Sequence, residues 1–354
     1  MEGWLTFQEL HRITKFVDAF CGTVEPSFRN VYFYYDKGLK IYATDGCAKL
    51  YLSATKEFLP FDGIASIPVQ YIKGIIKGTK SNEDSLVKIS LEDKEMIFEI
   101  EGMRLNSKIE KEEAISIETA GESVVISKKE LGYFIDKLDF VSASANEGDI
   151  IDILTHDKKI VFGYLSDYYK LNTFYSETKV DFHREIPFIS ARHIVKALNQ
   201  LKKSNILELG IDKYNIILRN PGVLIKVCSS KPSFSKNILI FEKFIEQVDM
   251  NTKDLKNVLS KLYSTFSESN VAYLVLKENN SYIYKEEKNA RISFKLPYSF
   301  QNQYLVPIHV RKLRSILARM DDHIKIYLNE KTMLLEDSKN SKKAIFLVQE
   351  FIKK

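Results

Sequence analysis

Cysteine is scarce in this chain of 354 residues, in which it occurs only at positions 21, 47 and 228. The three cysteines are far apart, odd in number and in no Cys-x-x-Cys spacing. A disulfide framework or a zinc site is therefore not expected. The sequence predicts reduced thiols, and we expect them to be buried.

Long apolar runs are missing as well. No run approaches the ~18 apolar residues that a membrane-spanning helix needs. The first ten residues, MEGWLTFQEL, place an acid second and interrupt their apolar residues with Gln8 and Glu9, which is not typical of a signal peptide. Trp4, the only tryptophan, is interpreted as a packing residue at the start of the first helix. We expect a soluble protein of the cytoplasm.

Catalytic motifs are also absent. The six histidines are scattered, and no HExxH, GxxxxGK[ST] or GxSxG pattern occurs. The pair Asp149/Asp152 could bind a metal as in a nuclease, and so could the pair Asp321/Asp322. A carboxylate pair near a turn is usually just solvated, however. We therefore predict a protein that is not an enzyme and has no metal or cofactor, with a nuclease as a competing hypothesis.

The bulk composition is that of an ordinary soluble globular protein, with 45% hydrophobic and 28% charged residues. Its length suggests two or three domains, each able to bury a core. The 52 basic and 47 acidic residues leave a net charge of only +5. What matters for a partner is whether that excess is localised.

An internal repeat organises the chain. The dipeptides Ile67-Pro68, Ile186-Pro187 and Val306-Pro307 each open a segment with helical spacing, and their prolines are 119 and 120 residues apart. Proline is favourable early in a helix because its missing N–H would be unpaired there. We therefore predict a proline-led helix at each of the three positions.

A second helix precedes each proline-led one. These helices lie around Leu10, Leu131 and Leu255, which are 121 and 124 residues apart. Alternating apolar stretches with turns at Asp-Lys-Gly, His-Asp-Lys and Asn-Asn follow them and predict strand hairpins. Two or three more strands follow each proline-led helix. One repeat is therefore helix, strands, helix, strands, over about 118 residues.

The repeat predicts an α+β fold of three similar domains, each with two helices packed on antiparallel sheets. The predicted domains are residues 1–119, 120–241 and 242–354. Linker candidates are ETAGES and the stretch around SKPSFSKN.

Positive charge is concentrated in the proline-led segments 67–80, 186–203 and 306–320. Together they contain no acid and eleven cations: Lys73, Lys77, Lys80, Arg192, Lys196, Lys202, Lys203, Arg311, Lys312, Arg314 and Arg319. The third segment, VPIHVRKLRSILARM, places its apolar residues on one side of a helix and its cations on the other. Like charges on one helix face repel each other. The same bias in three repeats predicts one positive surface for a polyanion.

The commonest such polyanion is the nucleic acid backbone. Asn, Gln and aromatic residues, which base-edge reading or base stacking would require, are few beside these cations. We therefore predict backbone contacts that are independent of base sequence and strongly dependent on salt.

These features together resemble the bacterial sliding clamp, the beta subunit of DNA polymerase III. The resemblance covers essentially the whole chain. YATDGCAKLYL, residues 42–52, is similar to the family's Thr-Asp-Gly-x-Arg-Leu signature, in which Asp45-Gly46 is most simply a turn. LSDYYKLN matches the signature in the second repeat, although Tyr168 and Tyr169 replace its Gly and His. KPSFSKNIL resembles the family's connector between domains two and three, and AIFLVQEFIKK resembles its final strand without the Met-Pro ending.

The resemblance implies a homodimer in which two chains close head to tail into a ring of six domains around double-stranded DNA. The positive helices would line the hole, where phosphates offset the repulsion between their cations. The ring would tether a DNA polymerase without reading sequence. The alternative is a processivity or repair accessory factor of the same fold that binds DNA without closing a ring. A scaffold whose positive faces bind an acidic protein is a further competitor.

The resemblance also implies a cleft between domains two and three that binds short, mostly apolar peptides of the DNA polymerase and the clamp loader. The positions that match the family's cleft are Lys170, Leu171, Pro232, Ile238, Phe346, Leu347 and Val348, with Thr332 as a looser candidate. The alternative interpretation is that Leu171, Ile238 and Val348 are core residues. Tyr168 and Tyr169 predict a cleft of altered shape and hence a different peptide.

Overall fold

A computed structural model describes most of the chain. The described residues are 2–22, 25–55, 58, 60–78, 85–111, 122–167, 169–178, 181–201, 206–232, 243–265, 271–287 and 290–349. Within them no helix is long and apolar enough to cross a membrane.

The described elements repeat three times in the order strand, helix, three strands, strand, helix, three strands. The first repeat comprises β1 (Glu2–Thr6), α1 (Phe7–Phe20), β2 (Asn30–Tyr35), β3 (Leu39–Thr44), β4 (Ala48–Thr55), β5 (Ile64–Pro68), α2 (Val69–Gly78), β6 (Leu86–Glu92), β7 (Glu95–Ile100) and β8 (Met103–Glu110). A short 3₁₀ helix at Pro26–Arg29 precedes β2.

The second repeat comprises β9 (Glu122–Ser127), α3 (Lys128–Ser142), β10 (Ile150–His156), β11 (Lys159–Leu165), β12 (Tyr169–Glu177), β13 (His183–Pro187), α4 (Phe188–Gln200), β14 (Ile206–Ile211), β15 (Asn215–Asn220) and β16 (Val223–Cys228). The third comprises β17 (Glu246–Asn251), α5 (Lys253–Thr265), β18 (Val271–Leu276), β19 (Tyr282–Glu287), β20 (Ala290–Lys295), β21 (Tyr304–His309), α6 (Val310–Leu317), β22 (His323–Leu328), β23 (Thr332–Asp337) and β24 (Lys342–Leu347). The predicted α+β repeat is confirmed. Sequence reasoning missed the strand before each first helix.

The described chain forms two compact units. The first unit is residues 1–135 with 189–230, and the second is 136–188 with 231–354. The first contains a sheet of order β1-β6-β7-β8-β5-β2-β3-β4-β16-β15-β14-β9. The second contains the sheets β13-β10-β11-β12-β24-β23-β22-β17 and β20-β19-β18-β21. The predicted domain boundaries near residues 120 and 242 lie outside the described residues and stay a prediction.

Sheets continue from one repeat into the next through two antiparallel strand pairs. In the first unit β4 pairs with β16, with Lys49 opposite Lys226. In the second unit β12 pairs with β24, with Lys170 opposite Ile345. One sheet therefore contains strands of the first and second repeats, and another contains strands of the second and third repeats.

Local sequence explains where helix α1 begins and which of its sides is buried. Thr6 and Glu9 cap α1 reciprocally: Thr6 Oγ1 accepts from the Glu9 N–H at 3.1 Å, and Glu9 Oε2 accepts from the Thr6 N–H at 2.9 Å. The buried residues of α1 then recur at helical spacing: Leu10, Ile13, Thr14, Phe16, Val17, Ala19 and Phe20.

The predicted hairpin turns are confirmed. Lys37 (φ 51°) and Gly38 (φ 124°) lie in the turn between β2 and β3. Asp157 and Lys158, both with positive φ, turn β10 into β11. In the two-residue turn between β10 and β11, positive φ at both central residues matches the twist of the flanking strands.

The predicted position of the prolines is wrong. Pro68 and Pro187 are the last residues of β5 and β13, and Pro307 lies inside β21, three residues before α6 begins at Val310. Proline lacks an N–H, so it is tolerated at strand ends and on edge strands, and β13 and β21 are both edges. The residue of the third repeat that corresponds to Pro68 is therefore His309, which ends its strand.

Two further expectations need correction. Trp4 lies in edge strand β1 and is exposed, because alternation along β1 buries its neighbour Leu5 instead. The cysteines are free, but Cys228 is exposed at the end of β16, while Cys21 and Cys47 are half-buried. Burial raises the pKa of Cys47 to about 11.

Candidate nucleic-acid interface and peptide site

Helix α6 separates apolar from charged residues as predicted. Val310, Leu313, Ile316 and Leu317 are buried. Arg311 and Arg314 are exposed on the opposite side. The Arg314 guanidinium lies 5.1 Å from the centre of the Tyr263 ring on α5. The third repeat therefore presents two arginines and an aromatic ring beside each other.

The sequence predicted that all four cations of this segment point to solvent. Two of them, Lys312 and Arg319, instead contact other parts of the protein. Lys312 Nζ donates to the Ser144 carbonyl and, at 2.6 Å, to Asn146 Oδ1. Arg319 Nε donates to Asp139 Oδ2 at 2.7 Å. Burial, helped by the positive charge of Arg311, lowers the pKa of Lys312. Both side chains hold α6 and its C-terminal turn against the end of α3, through partners far away in sequence.

Helix α2 carries fewer accessible cations than predicted. Lys77 is exposed, but Lys73 Nζ pairs with Asp18 Oδ1 of α1 at 2.8 Å. On α4, Lys196 is exposed and Arg192 is half-buried. Three further predicted cations lie outside the described residues: Lys80, Lys202 and Lys203.

Sequence reasoning missed exposed cations on the first helix of two of the pairs, α1 and α5. Arg12 and Lys15 on α1 and Lys261 on α5 are exposed. Tyr71 on α2 and Tyr263 on α5 are exposed aromatic residues beside cations, which the sequence analysis took to be few. The signal was present in the spacing, because Tyr263 follows Leu262 directly and so lies about 100° from the buried face of α5.

The Thr-Asp-Gly stretch of the first repeat forms a turn that is tied to α4. Asp45 Oδ1 accepts from the N–H groups of Cys47 at 2.9 Å and Ala48 at 2.6 Å, and Gly46 has φ 97°. Asp45 Oδ2 lies 3.0 Å from His193 Nδ1 on α4. Burial alone would raise the pKa of Asp45, but the contact with His193 and the hydrogen bonds from the two backbone groups outweigh it and lower this pKa. The turn thereby orients the helix that carries Arg192 and Lys196.

We expect Asp45→Asn to lower the free energy of unfolding by about 1.5–3 kcal/mol at pH 7, the range for hydrogen bonds to a charged group. Because the folded pKa is depressed, the ionised carboxylate stabilises the fold above the unfolded pKa of about 3.9, and this contribution is lost as pH falls through the folded pKa. Urea unfolding between pH 7 and pH 3.5 should show the gap closing toward the acid end. Asp167→Asn, at the equivalent but exposed position of the second repeat, is the control. A gap that stays constant with pH would contradict the assignment.

The residues predicted for the peptide cleft lie on two opposite faces of one sheet. On β12 and β24, Leu171 and Phe346 point to the buried side and are 0% and 1% exposed. Lys170 and Leu347 point to the other side, and Thr332 on β23 lies directly opposite Leu347. A single peptide cannot contact both faces. Leu171 and Phe346 are therefore core residues, as the alternative interpretation held for Leu171.

The outer face of this sheet is the better candidate for peptide binding. Leu165, which the sequence analysis did not name, is opposite Lys170 and exposed, and Leu347 is 47% exposed. Val348 and Pro232 are half-buried. Ile238 lies outside the described residues, as does Tyr168.

Tyr169 fills the buried side of the same strand pair. Its ring centre is 5.9 Å from that of Tyr164 and 5.7 Å from that of Phe346, and its hydroxyl donates to the Ser144 carbonyl at 3.0 Å. Burial raises its pKa. Tyr169 therefore forms part of the core beneath the sheet.

Within the described ranges, no group of three or more His, Cys, Asp or Glu side chains is placed to hold a metal ion. No protein-family model matches the chain, and no curated protein sequence matches it.

Solved structures match over the whole length. The DNA polymerase III subunit beta of Pseudomonas aeruginosa superposes with a TM-score of 0.84 at 11% identity, covering 99% of this chain and 100% of that one. The beta subunit of Thermotoga maritima gives 0.84 at 12% identity, covering 99% of each chain. The Helicobacter pylori beta clamp bound to a DNA ligase peptide gives 0.74 at 12% identity, covering 99% of this chain and 100% of that one.

Proposed function

We propose that this chain, which has the fold of the bacterial sliding clamps over its whole length, is itself a sliding clamp. Two copies would close into a ring around duplex DNA and hold a DNA polymerase on its template. The chain would act by topology and position, without catalysing a reaction. The observation that carries the proposal is the recurrence of exposed cations on the second helix of each repeat: Lys77, Lys196, Arg311 and Arg314.

Those cations suit a duplex that must slide. Phosphate contacts of Lys and Arg release counterions and are independent of base sequence, so binding weakens steeply with salt. Lys77, Lys196 and Arg311 lie on three different helices, α2, α4 and α6. Diffuse attraction of this kind keeps the duplex centred without fixing its register.

Ring closure requires two strand edges that complement each other. The pairs β4–β16 and β12–β24 join the third strand after a first helix to the last strand of the next repeat. The strand of the third repeat that is equivalent to β4 and β12 is β20, and the strand of the first repeat that is equivalent to β16 and β24 is β8. By the same rule, β20 of one chain would pair with β8 of a second copy. In the described part of the chain β20 is a sheet edge, and β8 pairs beyond β7 only through Ile109 and Glu110. We propose that these two edges pair between chains.

The repeat also gives the register of this pairing. Lys49, Lys170 and Arg291 are equivalent, since each pairs within its hairpin with the residue five positions earlier. On the partner strands Lys226, Ile345 and Asn106 are equivalent, since each lies three residues after the first paired residue of its strand. Arg291 would therefore lie opposite Asn106, which places Ile292 opposite Leu105.

The same register matches apolar with apolar residues. Phe294 would lie opposite Met103 on the face that contains Ile292 and Leu105, and all four are half-buried in the single chain. Polar residues, among them Arg291 and Asn106, would share the other face. Alternation of this kind specifies register strongly, because a slip of one residue would expose every apolar side chain.

Partner peptides would bind the outer face of the β12–β24 strand pair. Leu165, Leu347 and Thr332 offer exposed or half-exposed apolar surface there, with the half-buried Lys170 beside them. We propose that this face binds short apolar segments of a DNA polymerase and a clamp loader. A structural neighbour, the Helicobacter pylori clamp, carries a DNA ligase peptide, which supports a peptide-binding role for the fold.

The decisive experiment compares a nicked circular plasmid with the same plasmid after linearisation. The protein is assembled on each with a clamp loader, or by dialysing dissociated protein into low salt with the DNA, and then washed at moderate salt. A ring should stay on circles and leave linear DNA at its ends. Equal loss from both forms would show binding by charge alone and would favour the open accessory factor of the same fold.

A further inference from the structure

The helix pairs of the first and third repeats have chemically different residues at a position that the repeat makes equivalent. Asp18 on α1 and Tyr263 on α5 each lie eight residues after the leucine that marks the helix in the repeat. Across each helix pair they face Lys73 and Arg314, which each lie four residues after the first residue of α2 or α6. An acid in the first repeat is thus an aromatic residue in the third.

The exchange changes how each pair can meet a polyanion. Lys73 Nζ is 2.8 Å from Asp18 Oδ1, so a negative charge lies beside the ammonium group and lowers the net charge of this face. The Arg314 guanidinium instead lies 5.1 Å from the Tyr263 ring centre. The ring quadrupole attracts a cation without cancelling its charge. Arg314 therefore keeps its full charge for a phosphate.

The Tyr263 ring remains open to solvent beside that charge, with the side chain 45% exposed. Arg311, one helical turn before Arg314, is also exposed. An aromatic face next to cations is the arrangement with which proteins bind unpaired nucleotides: the base stacks on the ring and the cations hold the phosphates. Bases within a duplex are stacked on each other and offer only their backbone to such a face.

We propose that the α5–α6 face, formed by Tyr263, Arg311 and Arg314, binds single-stranded DNA by stacking an unpaired base on Tyr263. This inference rests on the proposed DNA-binding function. It assigns a preference for single strands to the third repeat. The first repeat would lack this preference, because Asp18 and not an aromatic ring lies beside Lys73. The protein would then hold DNA more tightly where a duplex gives way to a single strand.

Fluorescence anisotropy with two labelled oligonucleotides separates stacking from charge. One is oligothymidylate, and the other is an abasic oligodeoxynucleotide of the same length and charge. The protein should bind oligothymidylate about tenfold more tightly, the effect of stacking roughly one base. Tyr263→Leu, which keeps an apolar side chain without a ring, should remove this preference and leave the affinity for the abasic strand unchanged.

Matched variants test whether the position itself matters. Tyr214→Leu removes another exposed tyrosine, which lies near Lys213 in the turn between β14 and β15, and should leave the preference intact. Tyr263→Asp should abolish it by recreating the ion pair of the first repeat. Adding Asp18→Tyr to that variant should restore it at the α1–α2 pair.

Each outcome has a distinct meaning. Equal affinity of the protein for both oligonucleotides, or a preference that survives Tyr263→Leu, would overturn the stacking proposal. Tyr263→Leu should still be retained on nicked circular duplex, because ring closure does not involve this face. If the abasic strand and a blunt duplex both fail to bind at low salt, the proposed DNA-binding function itself fails.

Discussion

Replacing Leu105 with Asp should convert the proposed dimer into a monomer and abolish the proposed retention on circular DNA. The side chain lies on β8 and is half-buried in the single chain. In the proposed junction it packs against Ile292 of the partner's β20. A carboxylate there would have to be buried without a partner, which costs several kcal/mol at each of the two junctions of a ring. Sedimentation velocity over a range of concentrations measures the result directly.

The control replaces Val125, an exposed apolar residue on edge strand β9, with Asp. Val125→Asp should leave the dimer intact, because β9 takes no part in the proposed junction. The register has its own test. Asn106→Cys combined with Arg291→Cys, in a Cys228→Ser background, should form a disulfide between chains, since opposite residues of an antiparallel pair have Cβ atoms about 5 Å apart. Leu105→Asp protein that remains dimeric would refute the proposed junction.

Phe346→Ala is expected to lower the free energy of unfolding of the second unit by about 3–5 kcal/mol, the usual cost of truncating a buried Phe. Phe346 is 1% exposed. It lies opposite Tyr169 on one side and Met333 on the other. The deletion would leave a cavity where β12 meets β24. Its effect should appear in the midpoint of urea unfolding.

Truncation of Leu347, the next residue along β24, should have little effect on stability and should instead weaken the proposed peptide binding. Its side chain is 47% exposed on the outer face, so Leu347→Ala should change stability by less than about 1 kcal/mol. It should weaken binding of a short peptide taken from the DNA polymerase of the same organism, measured by calorimetry. Equal destabilisation by the two variants would contradict the division of this strand into a core side and a binding side.

Sequence reasoning succeeded where the signal is local. The spacing of Leu10, Leu131 and Leu255 predicted three helices, and turn residues such as Asp157 and Lys158 predicted hairpins. Both depend on residues within one turn or one strand pair. Arg311 and Arg314 of α6 were likewise placed correctly relative to its buried face.

It failed where the outcome depends on distant residues. Asn146, which Lys312 contacts, and Asp139, which Arg319 contacts, lie more than 160 residues away, so these contacts could not be predicted from α6. The resemblance assigned Phe346 and Leu347 to one cleft, although adjacent strand residues point to opposite faces. Pro307 marked the third repeat two residues too early, since nothing local distinguishes a proline in an edge strand from one at a helix start.

The pairing of β4 with β16 also constrains how the chain can be made. One edge of β4 pairs with β16, in which Lys226 lies opposite Lys49. That edge has no strand to pair with until most of the second repeat has left the ribosome. An unpaired edge is a template for association with other chains. The nascent chain therefore passes through a vulnerable interval that spans half of its synthesis, and a chaperone that covers strand edges would protect it there. Fragments cut at the predicted repeat boundary should aggregate for the same reason.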